Sequence, residues 1–311
     1  MPLHPQVQAH LERLAGSNFA DLHTFTPERV RQAMRLMTQS LGTGEAVARV
    51  CDRVISTPAG ELPVRIYHPQ PDERPPVIVF FHGGGFVLGD LDTHDGLARA
   101  LASRTGRVVV SVDYPLAPEH KYPAAINAGF AATQWVALNA GEFGADGTDI
   151  AVAGDSAGGN LAAVVALMAR DAGGPAITHQ VLIYPDLDFR RSNVSIQEFA
   201  GQYGNISRAT QQWFMNHYLN GDHEKLDAHV SPLLAPRLEQ LPPAFIVTAE
   251  FDALRDEGEQ YGARLQESGV PTTVNRYAGM IHEFMRWPFD DAARALDDIA
   301  TALPATPPAR R

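Results

Sequence analysis

Cysteine is almost absent from this chain. Cys51 is the only one among 311 residues, so no intramolecular disulfide can form and no cysteine cluster can hold a metal. Long apolar runs are missing too; none reaches the length of a membrane-spanning helix. Positive charge is scarce, with 25 Lys and Arg against 36 Asp and Glu and a formal net charge of -11. Such a surface repels phosphate backbones and anionic lipid, so neither nucleic acid nor a membrane is expected as a partner. The opening MPLHPQVQAHLERLAG has no basic segment ahead of an apolar one. No secretory signal is read there, and a cytoplasmic location is expected. No internal repeat is visible. The one low-complexity stretch, PATPPARR at 304–311, is expected to be a disordered tail.

What is present is a core-forming composition, 45% hydrophobic, arranged as alternating strand and helix signals. Residues 1 to 45 read as two helices. The second starts at Thr26-Pro27, with threonine as cap and proline at the first helical position. They form either a lid over a later core or plain N-terminal packing. Val50–Thr57 and Leu62–His68 flank the turn Pro58-Ala59-Gly60 and predict an antiparallel hairpin. Four runs predict core strands: Pro76–Phe81, Arg107–Asp113, Ile150–Ala153 and His179–Pro185. Two more strands are predicted at Ala244–Ala249 and Thr272–Tyr277. Helical stretches at 93–105, 124–139, 160–170 and 291–303 separate or follow them. This alternation predicts a mainly parallel sheet with helices on both faces.

Asp186 to Ser231 interrupts the alternation. It is rich in aromatic residues, with a helix predicted over Gln211–Tyr218, and reads as a cap or pocket insertion. Phe189, Phe199, Tyr203, Trp213 and Phe214 are candidates for a pocket wall, although core packing suits any one of them as well. The domain reading is therefore 1–45 N-terminal helices belonging to a cap, 46–185 first core segment, 186–231 cap insertion, 232–303 second core segment and 304–311 tail.

Chemistry concentrates at strand ends. Gly154-Asp155-Ser156-Ala157-Gly158 fits G-x-S-x-G between a strand and an alanine-rich helix. That context turns a weak pattern into a candidate nucleophile elbow, with small residues at both flanks relieving Cβ clashes. The alternative is an ordinary turn whose serine caps the helix. His82-Gly83-Gly84-Gly85-Phe86 follows another buried strand. Three consecutive glycines suit backbone N–H groups aimed at a developing oxyanion. A phosphate loop is disfavoured, since no Gly-Lys-Ser/Thr follows. A serine nucleophile needs a base, and the base an orienting carboxylate. Asp252 and His282 follow the last two strands in the order Ser, acid, His. Glu250, Asp256 and Glu257 are rival acids, the latter two suited to opening a helix. The proline-rich DYPLAPEHKYP at 113–123 reads as a brace for neighbouring loops.

Five motifs in order, HGGGF at 82–86, DYPLAPEHKYPAA at 113–125, GDSAGGNLAA at 154–163, DALRDEG at 252–258 and GMIHEF at 279–284, resemble the bacterial hormone-sensitive lipase family of carboxylesterases, closest to members with a GDSAG elbow. The resemblance spans about residues 45–303 and implies an α/β-hydrolase fold with a helical cap. Position by position it implies Ser156 as nucleophile, His282 as general base and Asp252 as its orienter. Gly83, Gly84 and Ala157 are implied as oxyanion donors, and His82 as a structural brace. It further implies short- to medium-chain ester substrates, no cofactor or metal, and a homodimer through a sheet edge. Two positions depart from the family pattern: Ala253 stands where proline often follows the acid, and Glu283 where glycine commonly follows the histidine. An inward-pointing Glu283 is expected to raise the pKa of His282. Amide hydrolysis of the arylacetamide deacylase kind uses the same machinery. A non-catalytic receptor, as in the plant gibberellin receptors, lacks the histidine that is present here.

Overall fold

The apolar runs become the centre of an eight-stranded sheet. A computed structural model describes residues 2–15, 22–40, 42, 44–70, 74–204 and 206–303; the 304–311 tail lies outside them. The strands are β1 (Arg49–Thr57), β2 (Gly60–His68), β3 (Pro76–Phe81), β4 (Val108–Val112), β5 (Asp146–Asp155), β6 (His179–Ile183), β7 (Ala244–Phe251) and β8 (Thr272–Ile281). Their spatial order is β1-β2-β4-β3-β5-β6-β7-β8. The expected hairpin pairs Thr57 with Gly60, and β2 runs antiparallel to β4. Every other neighbouring pair is parallel.

Because side chains alternate along a strand, one apolar run serves two cores. Val77, Val79 and Phe81 of β3 enter one cluster, while Ile78 and Phe80 enter the other. On the second face lie α3 (Asp95–Thr105) and α9 (Asp290–Ala302), which contribute Leu97, Leu101, Leu296 and Ile299. The first face is covered by α4 (Ala124–Asn139), α5 (Ala157–Ala172) and α8 (Arg255–Glu267). Val136, Leu161, Val165, Tyr261 and Leu265 pack there. This is the α/β-hydrolase arrangement. Among the described residues no helix is long and apolar enough to cross a membrane.

Ahead of the sheet come α1 (Pro5–Leu14) and α2 (Pro27–Gln39). Thr26 caps α2 through its side chain and Pro27 begins it, as the sequence pattern predicts. Val30 and Met34 turn inward and join the first cluster. Arg31 fastens the same helix to the core. Its guanidinium donates to the carbonyls of Val87 and Ala117, each at 2.7 Å, and pairs with both oxygens of Glu119. The segment 186–231 folds as α6 (Val194–Phe199), α7 (Arg208–Tyr218) and short turns. The loop at 113–123 braces its neighbours: the Tyr114 hydroxyl donates to the His82 carbonyl at 2.7 Å, and the Ala117 N–H donates to Phe86.

Candidate active site

Parallel strands place their carboxyl ends on one edge of a sheet. Here four of them stop one residue short of a candidate functional side chain. β3 ends at Phe81 before His82, β5 at Asp155 before Ser156, β7 at Phe251 before Asp252, and β8 at Ile281 before His282. Register aligns these ends, with Phe81 opposite Gly154 and Asp155 opposite Ile183.

Ser156 adopts φ 56° and ψ -117°, a conformation that side chains with a Cβ rarely take. Backbone hydrogen bonds on both sides hold the turn. The Ser156 N–H donates to the Ile183 carbonyl at 2.9 Å, and its carbonyl accepts from Asn160 and Asp186. The flanking glycines are required by close approach. A Cβ on Gly154 would sit 2.1 Å from the Gly158 carbonyl oxygen, and one on Gly158 would sit 1.9 Å from that of Phe81.

The Ser156 hydroxyl meets His282 Nε2 at 3.0 Å. His282 Nδ1 meets Asp252 Oδ2 at 2.8 Å. A carboxylate only accepts, so Nδ1 carries the proton and Nε2 is left as acceptor for the serine. The other Asp252 oxygen accepts the Leu254 N–H at 2.8 Å, which fixes the carboxylate plane. Burial opposes charge on His282, but Asp252 outweighs it, with Glu283 and Asp155 adding to the same side, and the imidazole pKa rises above its ordinary 6.5. Tyr184 packs across the ring, centroids 4.9 Å apart.

The glycine loop corrects one expectation. The Gly83 N–H, assigned above to the oxyanion, donates to Asp155 Oδ1 at 2.9 Å and is already engaged. Gly84 and Gly85 line the pocket instead, beside Ser156. Among the described residues no acceptor pairs with the N–H of Gly84, Gly85 or Ala157. His82 acts as a brace: Nδ1 lies 2.9 Å from the Gly83 carbonyl, and its ring stacks on Tyr114. Asp155 is fully buried. Burial pushes its carboxyl pKa up, but His94, with Nε2 3.5 Å from Oδ2, holds it below the ordinary range.

The rival acids have other partners. Glu250 accepts the Gly279 N–H. Asp256 and Glu257 lie in the first turn of α8. Glu257 is also buried and accepts from the N–H groups of Leu187 and Asp188 and from Asn193. Phe189 and Phe214 line the pocket, but Phe199, Tyr203 and Trp213 do not. Val30, Met34 and Met37 of α2 form another wall, so α2 reaches over the site as well as packing. The cavity volume is about 160 Å³. Among the described residues no group of His, Cys, Asp and Glu has the arrangement of a metal site.

A family model described as alpha/beta hydrolase fold matches residues 78–286. Esterase LipI of Mycobacterium tuberculosis is 45% identical over 264 residues, covering 83% of this chain and 81% of its own. The chain belongs to the hormone-sensitive-lipase-like family of α/β-hydrolases. It is a carboxylic ester hydrolase. An arylesterase of Saccharolobus solfataricus is 36% identical over 288 residues, covering 93% of this chain and 94% of its own. The solved structure of a hyperthermophilic esterase from the archaeon Pyrobaculum calidifontis superposes with a TM-score of 0.93 at 42% identity, over 97% of this chain and 98% of that one.

Both departures from the family pattern now have a structural setting. Ala253 is buried, and its carbonyl accepts the Ser195 hydroxyl, which links the acid loop to α6. Glu283 sits at φ 61° and ψ 15°, a left-handed conformation that glycine adopts freely. Gly85 and Asp155 went unassigned as functional in the sequence. The available signal for Asp155 was an acid beside the nucleophile in a position destined for burial.

Proposed function

We propose that this esterase cleaves short- to medium-chain esters through an acyl-enzyme formed on Ser156. The observation carrying this reading is the continuous line from Ser156 through His282 to Asp252, with contacts of 3.0 and 2.8 Å. Ser156 Oγ attacks the ester carbonyl carbon while His282 Nε2 takes the hydroxyl proton. Asp252 holds the Nδ1–H tautomer and stabilises the imidazolium. The carbonyl oxygen becomes an oxyanion that accepts from the N–H groups of Gly84, Gly85 and Ala157. Each such donor is worth about 3 kcal/mol of barrier. Collapse breaks the bond to the alcohol oxygen, which leaves with the proton from His282. Water then adds to the acyl carbon, giving a proton to His282, and the acid departs as Ser156 recovers its hydrogen. The chemistry needs no group beyond these side chains and backbone amides.

Chain length follows from the pocket. A partly open space of about 160 Å³ is close to the size of cavities that hold a benzene-sized group, roughly 150 Å³, and favours small acyl groups over palmitoyl. Hydrolysis of p-nitrophenyl esters from acetate to palmitate, native protein beside Ser156→Ala, tests both parts. The expected result is a maximum at short chains and a loss of about 10⁴-fold or more in the variant. Full activity in Ser156→Ala removes the serine mechanism. A maximum at palmitate removes the chain-length assignment. Inactivity on esters with turnover of aryl amides moves the assignment to amide hydrolysis. The same reading includes a cytoplasmic location and a homodimer, which size-exclusion chromatography tests against the 33.7 kDa chain mass.

A further inference from the structure

Among the described residues, six ionisable side chains line the catalytic pocket: Asp186, Arg191, Asp252, His282, Glu283 and Arg286. Five are committed and largely hidden. Asp186 and Arg191 form a two-point ion pair at 2.6 and 2.8 Å, with side-chain exposures of 10% and 12%. Asp252 is 1% exposed and holds His282, which is 16% exposed. Arg286 is 5% exposed and donates to Glu283 at 3.2 Å and to the Thr93 carbonyl. Of these six, Glu283 alone is substantially open, at 34%. Its contact with Arg286 uses Oε2. The charge an entering substrate meets is therefore a carboxylate, held beside the base on a backbone conformation that disfavours any side chain.

Resting on the esterase reading above, we infer that Glu283 is a charge selector: it makes this pocket favour uncharged and cationic esters over anionic ones. An anionic acyl or alcohol group brought into a small, partly desolvated space beside an open carboxylate pays like-charge repulsion in a medium of low dielectric. A cationic group gains attraction there. The Asp186–Arg191 pair is neutral as a unit and gives no compensating positive charge. Arg286 offsets part of the Glu283 charge through Oε2, but it is only 5% exposed, and Glu283 Oε1 has no donor among the described residues.

The test uses three ethyl esters of matched acyl chain length: ethyl valerate, monoethyl glutarate and ethyl 4-(trimethylammonio)butyrate. Acid release is followed in a pH-stat for the native enzyme, Glu283→Gln and Glu283→Gly. The glutamine variant keeps the side-chain shape, and the glycine variant relieves the backbone, so at least one reports on a folded protein. The native enzyme is expected to prefer ethyl valerate over monoethyl glutarate by about tenfold or more in kcat/KM, with the cationic ester at least equal to the neutral one. Both variants should narrow the neutral-to-anionic ratio several-fold, mainly through KM, and the native ratio should shrink as salt rises. Turnover of ethyl valerate with a ratio unchanged in both variants overturns the selector role alone. No turnover of ethyl valerate or of any p-nitrophenyl ester overturns the esterase mechanism, and the selector with it.

Discussion

The carboxylate of Asp155 accepts the N–H of Gly83 at 2.9 Å, across 72 residues of chain. Asp155 is the residue immediately before the nucleophile, and Gly83 the residue immediately before the two glycines that line the pocket. This hydrogen bond ties the glycine loop directly to the nucleophile turn, alongside the braces from Tyr114 and His82. A Cβ on Gly83 would lie 2.6 Å from the same carboxylate, so the approach leaves no room for a side chain.

Replacing Asp155 should therefore lower kcat without touching a reacting atom. A hydrogen bond from a buried amide to a carboxylate is worth about 1.5–3 kcal/mol, or roughly 10- to 100-fold if all of it positions the loop. Asp155→Ala should lose about that much in kcat with KM little changed. Asp155→Asn keeps an acceptor for Gly83 and should lose less. Steady-state kinetics on a short p-nitrophenyl ester, with circular dichroism to confirm the fold, decide this. Equal loss of kcat/KM through KM alone would point to pocket damage instead.

The base must be neutral to take a proton, so activity rises as pH passes the pKa of His282. That pKa is raised: Asp252 outweighs the opposing effect of burial. The acidic limb of kcat/KM should accordingly lie above pH 6.5. Asp252→Asn removes the dominant raising charge, so burial wins and the limb should move down, with kcat falling about 10⁴-fold. Stability has the matching sign. The charged imidazolium is favoured in the folded chain, so its contribution is full below pH 6.5 and is lost as pH climbs through the folded-state value. A pH–rate profile of both proteins is the check, and a limb that stays put in Asp252→Asn speaks against the pairing.

Gly158→Ala should be among the most damaging single-methyl additions in the chain. The new Cβ would meet the Phe81 carbonyl oxygen at 1.9 Å, and backbone on both sides prevents relief. The elbow and the end of β3 must separate, at a cost of several kcal/mol by the standard of overpacked cores. Urea denaturation should show a lower midpoint, and activity should fall further than the loss of folded protein explains. Gly173→Ala, at a solvent-open helix end with φ 70°, serves as the milder control.

Arg31→Ala tests whether α2 is a working wall of the pocket. The substitution removes donors to the Val87 and Ala117 carbonyls and the pair with Glu119. Glu119 is nearly half exposed, so the ion pair itself adds little; the loss should be about 1–2 kcal/mol, mostly from the carbonyl contacts. Val30 and Met34 lie on the same helix and line the site, so KM for short esters should rise a few-fold. The Arg31 hydrogen bonds hold the Glu119 carboxyl at about 2, below its usual 4.5. Whatever that pair contributes is present above pH 4.5 and fades as pH falls towards 2. The melting difference between native protein and Glu119→Gln should narrow from pH 6 to pH 3. An unchanged KM in Arg31→Ala would make α2 packing alone.

Strand positions were legible because each apolar run had only one way to be covered on both faces. Val77-Ile78-Val79-Phe80-Phe81 is too apolar for an edge and too short for a helix. The order of Ser156, Asp252 and His282 was equally readable, since each follows such a run. Helix starts are less legible: α1 begins at Pro5, and a short amphipathic pattern does not announce its first turn. The engagement of the Gly83 N–H is hidden in the sequence for a different reason. Three glycines in a row look alike, and only the reach of Asp155 from β5 separates the one that anchors from the two that face the pocket.

The sequence by itself determined the fold class, the strand-end placement of the candidate residues and the strained serine turn, since these depend on local pattern and on sterics within a few residues. Tertiary structure alone decided which N–H groups stay free, that α2 reaches over the site, and that Glu283 is the open charge in the pocket. Those depend on distances between segments far apart in the chain, and the burial that hides Arg286 while leaving Glu283 exposed exists only once all of them have packed.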